Sequence, residues 1–246
     1  MPTRHKTRRG SPLHLTPSFD LFSKSKQLVM DNLWVFGPLY ILPALFLINN
    51  WLTNPNGLSG ISRWRYDLEN RSGGWSTPTF PNYTISLFFA LGIMAIIWIV
   101  LSVIIQIMTM DAQLRAAQGK RLDFTLLWDT VKELGWRMVG LYLLVGLYIV
   151  VGLILLIVPG LIMIRRYMLA PYVMLDQKTG IREAMEKSAA MSKPYSGYVW
   201  GVLGVMFLIA LLNIIPLIGG LLAFVGGILY SVAPAIRYQE LKKIVK

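Results

Sequence analysis

From Met138 to Val158 the chain runs for 21 residues without a charge. It then meets Pro159-Gly160 and continues, still mostly apolar, to Asp176, with Arg165-Arg166 set inside the second half. About 20 apolar residues at ~1.5 Å each cover the ~30 Å hydrocarbon core of a bilayer, so a run of this length points to a membrane-crossing helix. Membrane strands alternate polar and apolar positions, and this run does not, which argues against a strand barrel. The two arginines constrain more than the run itself. A guanidinium at the centre of a membrane helix costs roughly 2.5–3.5 kcal/mol, so the pair marks either the rim of the bilayer or a place where charge is used.

Read in the same way, the whole chain is expected to be all-α, a polytopic integral membrane helical bundle of about six spans. They fall near 33–52, 84–110, 138–158, 159–175, 197–212 and 217–236. The last two come from one charge-free stretch, Pro194–Ile236, whose 43 residues would reach roughly 64 Å as a single helix. Asn213, Pro216 and Gly219-Gly220 supply the turn that divides it. Residues 17–240 then form one helical membrane domain, flanked by a disordered basic tail over 1–16 and a basic tail over 241–246.

Composition supports this and sets orientation. The chain is 55% hydrophobic and only 15% charged, against about 25% charged in ordinary soluble domains. Its net charge of +12 is spread between the apolar runs and not gathered on a domain-sized basic face, which speaks against nucleic acid as a partner. Six spans place 19 of the 24 basic residues on one side, so both termini are expected in the cytoplasm and the protein in the plasma membrane. A five-span arrangement would strand Arg237, Lys242, Lys243 and Lys246 outside. The N-terminus lacks the apolar core of a signal peptide, since Arg4, Lys6, Arg8 and Arg9 lead into Pro12 and Pro17. The outer loop 53–83 carries Trp64, Trp75, Phe80 and Tyr83, suited to a membrane surface. It also holds two glycosylation-type triplets, at Asn70 and Asn82.

Three stretches are expected to lie along the membrane as amphipathic interfacial helices. Asp123–Gly135 groups Phe124, Leu127, Trp128, Val131 and Leu134 on one face, with Asp123 as the cap. Ser18–Asn32 offers Phe19, Phe22, Val29 and Met30, and Gly180–Lys193 offers Ile181, Ala184, Met185, Ser188 and Met191. Each precedes a span. They serve either as lipid or partner surfaces or as struts beneath the bundle, and both readings stay open. The order of amphipathic helix, span and returning span occurs three times, and Tyr167-Met-Leu-Ala-Pro171 resembles Tyr230-Ser-Val-Ala-Pro234.

The chemistry of catalysis is hard to assemble from these residues. There is no cysteine, and both histidines, His5 and His14, stand in the basic tail, so the usual metal and haem ligand sets are missing. Asp111 and Asp176 are expected at the solvated ends of spans. No catalytic, metal or cofactor-binding residue is assigned, and the chain is not expected to be an enzyme. Arg165, Arg166 and Tyr167 are the candidate contacts for an anionic lipid or ligand, because guanidinium grips phosphate through a fork of donors. The plainer alternative is that the fourth segment starts near the outer surface at Pro159-Gly160 and that the arginines snorkel back towards it. Gly197 and Gly201, a GxxxG pair, are the candidate helix-packing positions along with Pro159 and Gly160.

The run Val158-Pro-Gly-Leu-Ile-Met-Ile-Arg-Arg-Tyr-Met-Leu-Ala-Pro-Tyr-Val-Met-Leu-Asp176, followed by Ile181-Arg-Glu-Ala-Met-Glu-Lys-Ser188, resembles a group of prokaryotic multi-pass proteins. These are similar to the membrane domain that precedes some glycerophosphoryl diester phosphodiesterases. The resemblance implies a helical membrane fold and a bacterial-type plasma membrane. It implies no catalysis, which in those enzymes belongs to a separate soluble barrel, and it carries no binding residues. The expectation is therefore a non-catalytic module that binds or organises lipids or other membrane proteins. The alternative is a small transporter or permease for an anionic solute. The oligomeric state is not determined by the sequence.

Overall fold

The computed structural model describes residues 15–53, 84–215 and 218–245. Residues 1–14 of the basic tail, with both histidines, and residues 54–83, with the loop's aromatics, lie outside the described residues. Ten α-helices and no strand occur among the described residues. They are α1 (Asp20–Asp31), α2 (Leu33–Thr53), α3 (Thr84–Ala117), α4 (Phe124–Leu155), α5 (Ile157–Tyr167), α6 (Ala170–Gln177), α7 (Ile181–Ser192), α8 (Ser196–Leu211), α9 (Gly219–Tyr230) and α10 (Ala233–Val245). Five helical segments are long and apolar enough to cross a membrane: Gly92–Ala117, Phe124–Leu155, Ile157–Gln177, Ser196–Ile214 and Gly219–Ile244. The chain is a helical membrane protein. In the place of the first expected span, α2 is 21 residues long and carries no charge.

Several boundaries differ from the sequence expectation, each for a physical reason. The second span does not stop at Met110 but runs on to Ala117, through two charges. Arg115 Nε pairs with Asp111 Oδ2 one turn away at 2.9 Å, so neither charge has to leave the helix. The interfacial helix at Asp123 and the third span are one continuous helix, α4, of 32 residues. Gly135, Trp136 and Arg137 stand at the junction, and a lone glycine weakens a helix without ending it. Asp123 caps its start as expected, accepting from the Thr125 backbone N–H at 3.1 Å.

The turn between the third and fourth spans is at Leu156 and not at Pro159-Gly160. Leu156 alone is extended (φ −167°, ψ 147°), and α5 begins immediately after it. Pro159 sits inside the first turn of α5, where no backbone N–H is needed. Gly160 is buried against α4, and a Cβ there would stand 2.4 Å from Leu153 Cδ2.

All three expected units are present, and they share one plan. Each has an amphipathic helix, an outgoing helix and a returning helix: α1–α2–α3, then the two parts of α4 with α5–α6, then α7–α8 with α9–α10. Each amphipathic helix lies on the returning helix of the unit before it, which closes a ring. The start of α4 packs on α3, α7 packs on α5 and α6, and α1 packs on α9 and α10. The ends of the three returning helices, α3, α6 and α10, meet one another inside this ring.

Burial follows the same geometry. The core gathers in this basal end and includes Leu127, Leu134, Met138, Leu169, Val173, Val232, Tyr238 and Leu241. All of Ala170–Leu175 in α6 is buried. By contrast, Ile93, Ile97, Leu147, Ile154, Phe207 and Leu221 are exposed along the spans. Lipid tails are as apolar as leucine, so no hydrophobic gain draws spans together within the bilayer. Where water competes, burial is rewarded, and the basal end is close-packed.

Candidate functional site

The break between α5 and α6, at Met168 and Leu169, follows from Pro171. Its ring occupies the first turn of α6, offers no N–H to the carbonyl of Tyr167 and disfavours helical backbone just before it. The carbonyl of Arg166 is satisfied from another helix. Ser188 Oγ donates to it at 2.8 Å and Ser192 Oγ at 3.4 Å. These two hydroxyls set α7 across the end of α5.

A cleft of about 680 Å³ remains between α4, α5 and α7. Its apolar wall comes from Leu144 and Tyr148 of α4 and from Met185, Ala189 and Ala190 of α7. Tyr167 completes that wall, its ring 5.8 Å from the ring of Tyr148. The charged lining is Arg166, Arg182, Glu186 and Lys193. Arg182 Nε meets Glu186 Oε1 at 3.2 Å, but both side chains are largely in solvent (93% and 68% exposed) and such a pair adds little stability. Among the described residues, Arg166 and Lys193 have no carboxylate partner.

The three residues singled out from the sequence are thus divided. Arg166 and Tyr167 line the cleft, and Arg165 does not. Neighbouring positions on a helix point ~100° apart, so the pair does not share one face of α5. Arg165 is half-buried, and its Nε finds no hydrogen-bond partner. Arg166 lies in the last turn of α5, the end remote from Pro159-Gly160. There it faces the charged residues of α7.

The glycines divide as well. Gly201 is needed at a close approach, since a Cβ there would stand 2.2 Å from Ser18 Oγ, whereas Gly197 has nothing within 4 Å. Among the described residues, Gly201 alone of the pair meets a close neighbour, Ser18, just before α1.

Arg182, Glu186, Lys193 and Tyr148 did not stand out in the sequence. The signal was present in α7, whose buried face of Ala184, Met185, Ser188 and Met191 was correctly expected. What lay on its other faces was read only as topological charge. In α1 the buried face is Leu21, Ser25 and Val29 rather than Phe19 and Met30, which are 71% and 52% exposed.

The third unit provides an internal control for the arginines. Tyr230 ends α9 as Tyr167 ends α5, and Ala233-Pro234 opens α10 as Ala170-Pro171 opens α6. Here too an amphipathic helix docks at the break through a serine: Ser25 Oγ accepts from the Val232 N–H at 3.1 Å, and Tyr230 donates to the Ser18 carbonyl at 3.0 Å. At the positions of Arg165 and Arg166 this unit has Ile228 and Leu229. The same kinked junction therefore forms without any charge, and the architecture does not require the arginines.

Asp111 and Asp176 are not at solvated span ends. Asp111 is 4% exposed and accepts from Thr130 Oγ1 at 2.7 Å as well as from Arg115. Asp176 gathers Gln118 Nε2 at 2.8 Å, the Tyr238 hydroxyl at 2.7 Å and Lys242 Nζ. Nearby, the Tyr172 hydroxyl donates to Gln113 Oε1 at 2.8 Å. These bonds tie α3, α6 and α10 together, and their groups are used up in doing so. Among the described residues no group of His, Asp and Glu side chains could hold a metal ion.

Comparison with known proteins adds no relative: no family model, no curated protein and no solved structure matches the chain.

Proposed function

We propose that this protein is a non-catalytic membrane module that binds the headgroups of anionic lipids in the cleft between α4, α5 and α7. The observation that carries this reading is the pair of unpartnered cations, Arg166 and Lys193, beside an apolar wall at the edge of a span. A lipid presents charge and hydrocarbon in that same order. The third unit supports it further, because Ile228 and Leu229 build the same junction without charge.

The proposed setting is the plasma membrane, with both termini cytoplasmic. In its support, α1, the 118–123 connection, the 178–180 connection and α10 all lie at the basal end, where the basic residues are concentrated. A place among the multi-pass proteins that resemble the phosphodiesterase membrane domain belongs to the same proposal. The permease reading has less behind it. Arg165 is not among the residues that line the cleft between α4, α5 and α7, and Asp111, Asp176, Tyr172 and Gln113 are engaged in hydrogen bonds within the protein.

The test is lipid-resolved native mass spectrometry on the purified protein. Wild type is expected to retain anionic lipid over zwitterionic lipid, and Arg166→Gln with Lys193→Gln to lose most of that retention. Equal retention by wild type and the double variant would reject the reading.

A further inference from the structure

Three cations against one carboxylate leave the cleft with two net positive charges. Arg182 is already engaged by Glu186, so an incoming anion meets two free groups, the Arg166 guanidinium and the Lys193 ammonium. Guanidinium offers a planar fork of donors and ammonium three more, which is more than the two free oxygens of a phosphodiester can use. A phosphate monoester has three terminal oxygens and a charge between −1.5 and −2 near neutral pH. It can satisfy both cations and match the charge of the cleft.

Glu186 works against the discrimination. Its carboxylate faces the same space and repels a dianion about twice as strongly as a monoanion, so the preference rests on Arg166 and Lys193. The volume excludes a bare phosphate as a snug fit. At ~30 Å³ per water, about 680 Å³ holds on the order of twenty waters. Leu144, Tyr148 and Met185 suit the glyceryl and upper acyl portion of a lipid.

Resting on the headgroup reading above, we infer that the cleft selects lipids whose headgroup is a phosphate monoester over those with a singly charged phosphodiester. One additional charge-assisted hydrogen bond corresponds to roughly a tenfold preference. The preference follows the second ionisation of the monoester, near pH 6, and grows as the pH rises from about 5.5 to 7.5.

The experiment uses the full chain in nanodiscs, with short-chain phosphatidic acid and short-chain phosphatidylglycerol competing for it. The expected result is a roughly tenfold preference for phosphatidic acid at pH 7.5 that shrinks at pH 5.5. Arg166→Gln abolishes the preference. Glu186→Gln widens it by improving phosphatidic acid binding more than phosphatidylglycerol binding, while the helical circular dichroism stays unchanged. Equal affinities for the two lipids, both lowered by Arg166→Gln, would overturn the monoester inference and leave the headgroup reading standing. Binding of neither lipid, or no response to Arg166→Gln, would remove both. Inorganic phosphate provides the last arm. Failure to displace phosphatidic acid at matched concentration supports a lipid ligand, and full displacement overturns it.

Discussion

Ser188 Oγ donates to the carbonyl of Arg166 at 2.8 Å, across a break in the chain's fourth apolar segment. One serine thereby fixes the helix that carries Arg182, Glu186 and Lys193 against the helix that carries Arg166. The cleft exists because this joint holds. Ser25, at the Val232 N–H, holds the corresponding joint of the third unit.

Removing both hydroxyls at the first joint, Ser188→Ala with Ser192→Ala, leaves the Arg166 carbonyl without its partners from α7. An unpaired buried polar group costs about 2 kcal/mol, so the melting temperature in detergent is expected to fall. Anionic lipid retention falls with it, although no cation has been changed. Ser102→Ala, at an exposed hydroxyl bonded only to its own helix, is expected to leave both measurements alone.

Gly201 and Gly197 should respond differently. Gly201→Ala forces a methyl group into the space of Ser18 Oγ and is expected to lower stability by about 1–2 kcal/mol. Gly197→Ala has open space and is expected to change little. Adding Ser18→Gly to Gly201→Ala should restore most of the loss. Equal effects at the two glycines would indicate a GxxxG helix pair instead.

Asp176 accepts from three side chains, two on α10 and one in the turn after α3. Asp176→Ala leaves Gln118, Tyr238 and Lys242 without it and is expected to destabilise by about 2 kcal/mol, since Lys242 remains partly solvated. Asp176→Asn keeps an acceptor and should cost less than half as much. Thermal unfolding of the three proteins side by side gives the order.

The chain has no cysteine, so single cysteines report cleanly on sidedness. Lys120→Cys and Lys243→Cys are expected to react with an impermeant maleimide from one face of the membrane, and Asn213→Cys from the other. A five-span arrangement would place the first two on opposite faces.

Much of the fold was legible because its signals are local. Asp123 as a cap, the division of Pro194–Ile236 and the buried face of α7 each rest on residues within a few turns of one another. The boundary at Met110 was not legible. A span continues through Asp111 and Arg115 because the two pair with each other and Thr130, from a separate helix, shares the burial of the aspartate. Arg166 and Tyr167 were found because charges inside an apolar run are conspicuous. Arg182 and Lys193 were missed because charges on an amphipathic helix are ordinary.

The sequence by itself determined that this is a helical membrane protein built from repeated hairpins. The length of an apolar run and the spacing of apolar positions decide where a segment of chain can reside, whatever its neighbours are. Tertiary structure decided which charges share a space. Arg166, Arg182 and Lys193 become one site only when α7 lies across the end of α5, and that crossing depends on the ring of three units. Along the spans no hydrophobic force selects among helix faces, so the buried basal core and the hydroxyl-to-backbone bonds at the kinks make the selection.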